Sequence, residues 1–203
     1  MKGGTDTTVE ELERVLGRPE EVEFPEPFVM QDGEFLLLKR SMVDGRSQDA
    51  TLCILIDGRV VVIRKPFHPP GVYRPPSGGV PPGESIAVAA KREAYEETGL
   101  EIELERYLLR LRPVFIHQDE RVSWTSHVFL ARRIGGELKQ QDTREIEEVK
   151  LVSVKELEGP IRAHLLESGL GGLRYRAELA DLMIARLRGL GLCQMDGSEA
   201  LHT

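Results

Sequence analysis

The sequence predicts an α+β fold in which a mixed β-sheet is flanked by helices. Strand-type segments come first, one helix follows, and further strands precede two final helices, so the regular alternation of a parallel α/β sheet is absent. The chain has 203 residues, of which 40% are hydrophobic and 30% are charged. This composition is typical of a globular protein, and the length suits one sizeable domain with additional elements at its ends.

The N-terminal region is predicted to hold one helix and one strand joined by a polar link. Apolar residues at helical spacing predict a helix over residues 8–16, which ends at Gly17. A link with two prolines follows. Residues 35–40 have a strand-type composition and precede Asp44-Gly45, which is a turn signal.

The next segment predicts a β-hairpin. Residues 51–56 and 59–64 are rich in aliphatic and β-branched side chains, and Asp57-Gly58 between them favours a two-residue turn. Cys53 lies in the first apolar run and is interpreted as a small buried side chain rather than a redox group. Cys193 falls in a polar tail, and the two cysteines lack the spacing of metal ligands.

A long loop and a helix come next. Residues 66–83 are rich in proline and glycine, and loops of this length inside a compact domain are usually functional. Residues 85–98 contain neither proline nor glycine and are followed by Gly99, which predicts a helix with a glycine cap. The later elements are predicted as strands at 103–111, 122–131 and 148–152 and as helices at 154–167 and 174–187.

Charge and hydropathy exclude several classes of function. The net charge is −7, from 27 basic and 34 acidic residues, so the broad basic field of a nucleic-acid-binding protein is absent. No apolar run approaches the roughly 18 residues that span a membrane, and residues 1–6 lack the apolar stretch of a secretory signal. We therefore expect a cytoplasmic protein. The negative net charge still allows binding of a small ligand that carries phosphate, because such a ligand needs only a local positive site or a metal.

Three glutamates share one face of the predicted helix at 85–98. Glu93 lies three residues before Glu96 and four before Glu97, close to the helix C-terminus. Like charges at this spacing repel by a few tenths of a kcal/mol, and the helix dipole disfavours negative charge at this end. A solvated helix face is the ordinary interpretation. A site for a hard divalent cation such as Mg²⁺ is the functional one.

The surrounding residues match a longer pattern, G-x5-E-x7-R-E-U-x-E-E-x-G-U, where U is a bulky aliphatic residue. The fixed positions are held by Gly78, Glu84, Arg92, Glu93, Glu96, Glu97 and Gly99. A chance match is on the order of one in a hundred million per starting position. The chain therefore resembles the Nudix hydrolase superfamily, from about residue 33 to residue 158. Ala94 departs from the pattern, because it is a small residue at the first U.

The resemblance implies an α/β/α sandwich on a mixed sheet, with the box forming a loop–helix–loop metal site. It divides the chain into an N-terminal helix and link (1–32), the Nudix domain (33–158), and C-terminal helices and tail packed on the same domain (159–203). It also implies a pyrophosphohydrolase with Mg²⁺ or Mn²⁺ as cofactor, in which water attacks one phosphorus of a P–O–P bridge.

The resemblance further implies roles for single residues. The metal ligands are then Glu93, Glu96, Glu97 and a backbone carbonyl near Gly78. Arg92 is expected to orient Glu93, and Glu84 to support the box. The general base is either a box glutamate or Glu145, for which the alternative interpretation is a surface acid beside Arg144.

Residues outside the box are candidates for substrate contacts. Basic side chains near the loop are expected to meet phosphates: Arg74, Lys65 and Arg64. Arg64 stands at a strand end, where a solvent-exposed charge is the more usual interpretation. Trp124 and Tyr73 could stack a base, although the alternating pattern around Trp124 favours a core position. The histidines are expected to be packed or hydrogen-bonded rather than metal ligands: His68, His117 and His127.

Three functional classes stay open. The favoured one is hydrolysis of ADP-ribose or another nucleoside diphosphate derivative such as a nucleotide sugar. The second is hydrolysis of nucleoside triphosphates or dinucleoside polyphosphates, and the third is a non-catalytic nucleotide sensor. ADP-ribose hydrolases of the family usually carry a proline after the box, and Pro113 comes slightly early for it. We expect no nucleic-acid or membrane partner, and a homodimer through the N-terminal helix and strand is a hypothesis.

Overall fold

A computed structural model describes residues 8–192 of the chain. Its helices are α1 (Val9–Leu16), α2 (Asp32–Ser41), α3 (Ile86–Thr98), α4 (Val154–Glu156), α5 (Arg162–Glu167) and α6 (Gly171–Gly189). Its strands are β1 (Glu20–Glu23), β2 (Phe28–Val29), β3 (Gln48–Ile56), β4 (Arg59–Arg64), β5 (Ser77–Gly79), β6 (Leu100–Arg112), β7 (Val114–His117), β8 (Glu120–Ser123), β9 (Thr125–Gly136) and β10 (Glu148–Val152).

The larger sheet is mixed, as the sequence predicts. Its strand order is β1-β6-β9-β3-β4-β10, and β5 also pairs with β3. Strands β1 and β6 are parallel, as are β3 and β9, whereas the β6–β9, β3–β4 and β4–β10 pairs are antiparallel. A smaller sheet is formed by β2, β7 and β8.

Helices cover both faces of the larger sheet. Side chains alternate along β4, so that Val61 joins one buried cluster whereas Val60 and Val62 join the other. The first cluster includes Leu12 of α1 and several residues of α3, and the second includes Met183 of α6. This helix–sheet–helix layering confirms the predicted sandwich.

The hairpin and the box helix form where they were predicted. Asp57 and Gly58 have φ values of 50° and 73°, which suit a type I′ turn between β3 and β4. Helix α3 begins after Ser85, whose hydroxyl accepts a hydrogen bond from the amide of Val88. It ends at Gly99, which has a φ of 71°. Cys53 is fully buried within β3, as expected.

The predicted strand at residues 35–40 is wrong, because this segment is helix α2. Glu34 accepts a hydrogen bond from the Gln31 amide (3.0 Å) and caps the helix start. Phe35 is buried and Leu38 is half-buried, three residues apart on one helix face, whereas Leu37 is exposed. A short run of apolar residues does not by itself distinguish a strand from a helix.

The polar link after α1 contains two strands that were not predicted. Strand β1 pairs with β6, where Glu20 lies opposite Leu109, and β2 pairs with β7, where Phe28 lies opposite Phe115. Both pairings join distant parts of the sequence, so no local pattern predicts them. The N-terminal strand thus pairs within its own chain, and the homodimer stays a prediction.

Two later segments differ in detail from their predicted bounds. The stretch 122–131 is divided between β8 and β9 at Trp124, whose amide donates to the Pro113 carbonyl (3.0 Å). The helical stretch 154–167 contains a wider turn at Leu157–Ile161 that includes Pro160. Proline lacks the N–H of a regular helical hydrogen bond, which accounts for this irregularity.

The N-terminal extension is joined to the start of α6. The Glu34 carboxylate accepts hydrogen bonds from the amides of Gly171 (3.1 Å) and Gly172 (2.9 Å). A Cβ at Gly171 would lie only 2.1 Å from the carbonyl oxygen of Val29, so glycine permits this close approach. The two segments therefore form one continuous wall.

Within residues 8–192, no helix is long and apolar enough to cross a membrane. Cys193 lies outside the described residues. The domain boundaries at residues 32 and 158 stay predictions.

Candidate active site

A cleft of about 820 Å³ opens at the edge of the larger sheet where β3 begins and β4 ends. Strand β5 and helix α3 form one of its sides, and Gly78 and Gly79 of β5 pair with Ala50 and Asp49 of β3. The opposite side comes from residues that follow β4, from the loop around Glu145, and from α6. The cleft therefore brings together the box and several distant segments.

Arg92 holds the box carboxylates in place. Its Nε and Nη2 donate to the two oxygens of Glu84 at 3.1 and 2.8 Å, a two-pronged geometry that fixes both groups. Its Nη1 donates to Glu93 (2.7 Å) and to Glu96 (3.0 Å), and Nη2 also reaches the Gly79 carbonyl (3.3 Å). Arg92 therefore contacts both Glu84 and Glu93, and its orienting role and the supporting role of Glu84 stay predictions.

Gly78 lets the Glu93 carboxylate pack directly on the backbone of β5. A Cβ at this position would lie 1.7 Å from the carboxyl carbon of Glu93, so no side chain fits here unless that carboxylate moves. Burial raises the pKa of Glu93, against the opposing effect of its hydrogen bond to Arg92. The glycine thus permits a carboxylate to sit in a largely dry position.

Glu97 is the most deeply buried acid of the box, with 3% of its surface exposed. Its Oε2 accepts a hydrogen bond from the Ser77 amide (2.8 Å), and its Oε1 lies 3.5 Å from Nη2 of Arg74 and 3.8 Å from Nζ of Lys65. Burial raises the pKa of Glu97 despite these cations. Arg74 and Lys65 are therefore brought into the cleft, beside the box.

Glu145 is also brought to this site. Its Oε2 lies 3.7 Å from Nζ of Lys65, which also contacts Glu97. The Glu145 side chain is 68% exposed, so it stands at the mouth of the cleft. Burial, followed by repulsion from Arg74, lowers the pKa of Lys65.

Sequence reasoning missed three residues of the cleft. Arg176 of α6 pairs with Asp49 of β3 (Nη2 to Oδ2, 3.0 Å), and only 4% of Asp49 is exposed. Arg46 lies against Gly79, where a Cβ would come within 2.1 Å of its Nη1. Its Nε is buried and has no hydrogen-bond partner among residues 8–192. The one signal available in the sequence was Asp49, an acidic residue at the start of an apolar strand.

Two of the candidate substrate residues point elsewhere. Arg64 pairs with Glu147 (2.7 Å) and Glu148 (3.4 Å) and does not line the cleft, and the Tyr73 hydroxyl donates to Glu148 (2.7 Å). The geometry therefore favours the alternative interpretation of Arg64 as a charge outside the site. Trp124 is 8% exposed and contributes to both the core and the cleft lining.

The histidines have packing or hydrogen-bonding roles. His127 contacts the Tyr107 hydroxyl through Nδ1 and Gln48 through Nε2 (3.0 Å), and burial lowers its pKa to about 4. Nδ1 of His117 lies 3.0 Å from the Met30 carbonyl. Burial also lowers the pKa of His68 to about 4.

The donor set of the cleft fits a hard divalent cation. Residues 8–192 contain no ready-made cluster of three or more acidic, histidine or cysteine ligands. Mg²⁺ does not require one, because it typically uses one or two carboxylates together with waters and substrate phosphates. Glu93 and Glu97 are ionisable acids whose burial disfavours their charged form, and a cation beside them would offset that cost.

The match to a known protein family extends beyond the box. The chain belongs to the NUDIX domain family, whose model matches residues 45–168. The resemblance to the Nudix superfamily is therefore confirmed.

Two curated relatives show how much of the chain is shared. The chain is 36% identical over 126 residues to the putative mutator protein MutT4 of Mycobacterium tuberculosis (strain CDC 1551 / Oshkosh), covering 62% of this chain and 45% of that protein. It is 35% identical over 96 residues to the 8-oxo-dGDP phosphatase NUDT18 of Homo sapiens, covering 46% and 28%. The chain thus spans less than half the length of these relatives.

The fold has counterparts among solved structures. A UDP-X diphosphatase superimposes with a TM-score of 0.54 at 20% identity, covering 79% of this chain and 73% of that one. A NUDIX hydrolase from Nitrosomonas europaea superimposes with a TM-score of 0.51 at 22% identity, covering 75% and 99%. At these identities the likeness supports the fold alone.

Proposed function

We propose that the chain is a metal-dependent pyrophosphohydrolase that cleaves the diphosphate bridge of a nucleoside diphosphate derivative, with ADP-ribose or a nucleotide sugar favoured. One observation carries the proposal: the same cleft holds the buried Glu97, the half-buried Glu93, and three cationic side chains, Lys65, Arg74 and Arg176. The carboxylates suit a hard cation, and the basic side chains suit phosphate oxygens. Membership of the NUDIX domain family supports the same chemistry.

Box residues would hold Mg²⁺ or Mn²⁺. Glu93 and Glu97 would bind it together with the Gly78 carbonyl, and Glu96 would join them by giving up its hydrogen bond to Arg92. When bound, a divalent cation lowers the pKa of a coordinated water and offsets negative charge on the phosphates. Arg92 keeps Glu93 oriented throughout, since it is itself anchored on Glu84.

The proton released by the attacking water has two candidate acceptors. Glu145 stands at the solvent-exposed mouth and is held near the box by Lys65, so it can accept a proton and pass it to solvent. A glutamate of the box, such as Glu93, is the alternative. Arg74 and Arg176 would bind the phosphate oxygens on the other side of the reacting bridge.

A second candidate is hydrolysis of a nucleoside diphosphate itself. The name of the human relative, an 8-oxo-dGDP phosphatase, favours this alternative. Nucleoside triphosphates and dinucleoside polyphosphates form a third group with the same chemistry. A purely sensing role is disfavoured, because Glu84, Glu93, Glu96 and Glu97 are all retained.

The test is hydrolysis of a substrate panel with Mg²⁺, with Mn²⁺ and with EDTA. The panel comprises ADP-ribose, UDP-glucose, 8-oxo-dGDP, dATP and diadenosine tetraphosphate. We expect metal-dependent cleavage of ADP-ribose to AMP and ribose 5-phosphate, or of UDP-glucose to UMP and glucose 1-phosphate. Activity that persists in EDTA would contradict metal dependence. Binding without cleavage across the panel would favour the sensor.

A further inference from the structure

A second hollow, of about 480 Å³, adjoins the cleft on its cationic side. We call it the side compartment; its walls include Met30, Leu37, Leu38, Phe67, His68 and Leu173. It shares part of its lining with the cleft, namely Leu37, Ser41, Lys65, Phe67, Arg74 and Arg176. Because the two spaces meet along these shared residues, one ligand can occupy both.

Most walls of the side compartment lie outside residues 45–168, which the family model matches. They come from residues 30–41, including helix α2, and from residues 170–176 at the start of α6. The two segments are fixed to each other by the hydrogen bonds of Glu34 to Gly171 and Gly172. The compartment is therefore built mainly by segments that the family model does not match.

The entrance to the side compartment presents apolar surface to solvent. Phe67 is 65% exposed and Leu37 is 52% exposed, and both lie where the two spaces meet. Such exposure is unfavourable unless a ligand covers it. Phe67 adds an aromatic face on which a planar ring can stack. Lys65, Arg74 and Arg176 lie at the same junction, so the ligand should carry negative charge next to its ring.

We propose that the side compartment binds the nucleobase of the substrate and that Phe67 stacks on it. The diphosphate then lies across Lys65, Arg74 and Arg176, with the reacting bridge towards Glu93 and Glu97. This inference rests on the proposed function for the position of the diphosphate. It adds the part of the substrate that the box does not contact, and it assigns base recognition to α2 and the start of α6.

Equilibrium binding separates the base from the diphosphate. Isothermal titration calorimetry with Mg²⁺ would compare ADP with inorganic pyrophosphate, which has no base. For Phe67→Ala we expect the Kd of ADP to rise about tenfold, as stacking on an aromatic side chain is lost, with the Kd of pyrophosphate unchanged. Phe67→Tyr keeps the ring and should retain the affinity for ADP.

A second variant tests the proposal by filling the side compartment with a large side chain. A Cβ at Gly33 of α2 meets nothing within 4 Å, so Gly33→Trp should fit the fold and occupy the compartment. We expect it to weaken ADP at least tenfold and to spare pyrophosphate. The matched control is Gly189→Trp at the far end of α6, where the Cβ also meets nothing within 4 Å and which lies about 25 Å along the helix from Gly172.

Each outcome decides one of the two proposals. Wild-type protein that does not bind ADP, or that binds it no tighter than pyrophosphate, overturns the nucleobase site. So do Phe67→Ala and Gly33→Trp variants that bind ADP normally, or a Phe67→Ala variant that weakens both ligands equally. Base-dependent binding without hydrolysis of any panel substrate would leave the nucleobase site in place and refute the proposed function instead.

Discussion

The two sides of the cleft are built in different ways. The carboxylate side comes from one continuous stretch, Gly78–Glu97, and its members bond to one another through Arg92. The cationic side is collected from separate segments: Arg46, Lys65, Arg74 and Arg176. Among these, Arg176 is held by Asp49, whereas Nε of Arg46 finds no partner in the described chain. The carboxylate side is thus held together by contacts within one stretch of the chain, whereas the cationic side depends on contacts between distant segments.

The largest effect should come from the carboxylate side. Glu97→Gln keeps the shape of the side chain but removes a negative charge that the proposed metal needs, so we expect kcat to fall on the order of a thousandfold. Steady-state kinetics on a panel substrate measures this change, and circular dichroism checks the fold. The control is Glu103→Gln, an exposed carboxylate on β6 away from the cleft. Near-normal turnover of folded Glu97→Gln would refute the metal site.

On the cationic side, substitution of Arg176 should mainly lower stability, whereas substitution of Arg46 should mainly weaken substrate binding. Arg176→Met leaves the buried Asp49 carboxylate without its ion-pair partner, and we expect the free energy of unfolding to fall by about 3 kcal/mol. Arg46→Ala breaks no ion pair, so its stability should stay within about 0.5 kcal/mol of wild type, while KM for the substrate rises roughly tenfold. Urea unfolding and kinetics measure the two quantities. Equal losses of stability would show that Arg46 has a structural partner in solution.

The smallest effect is electrostatic and concerns His68, which lines the side compartment. Burial, assisted by Arg74 and Lys65, lowers its pKa from 6.5 to about 4. The folded state therefore binds fewer protons than the unfolded state between these values, so the contribution to stability is present above pH 6.5 and is lost as the pH falls towards 4. We expect a change on the order of 1 kcal/mol, reduced by solvent screening.

Two measurements check the behaviour of His68. NMR titration of its imidazole should give a pKa well below 6, and His68→Asn should flatten the pH dependence of unfolding between pH 6.5 and 4. A pKa near 6.5 would show that this part of the cleft is open to water. The Arg176→Met variant should raise the His68 pKa, because it removes one of the nearby positive charges.

What the sequence could predict follows the same division. The box could be located residue by residue, because its pattern is continuous in the sequence and resembles that of the Nudix family. Helix geometry adds only that Glu93, Glu96 and Glu97 share one face. The Asp49–Arg176 pair could not, since the two residues are 127 positions apart and meet only when α6 packs on the sheet. Strand β1 was missed for the same reason. Helix α2 was assigned as a strand because its consecutive leucines hide which of them face the core.

The contact between Glu34 and Gly172 spans 138 residues, and this separation matters while the chain is being synthesised. The carboxylate of Glu34 has no partner in α6 until the start of that helix has left the ribosome. Every residue of the box is made long before that moment. A nascent chain can therefore assemble its carboxylates early, whereas the wall that we assign to base recognition forms among the last contacts. Gly171 makes this late closure sensitive to substitution, because any side chain there would meet the Val29 backbone.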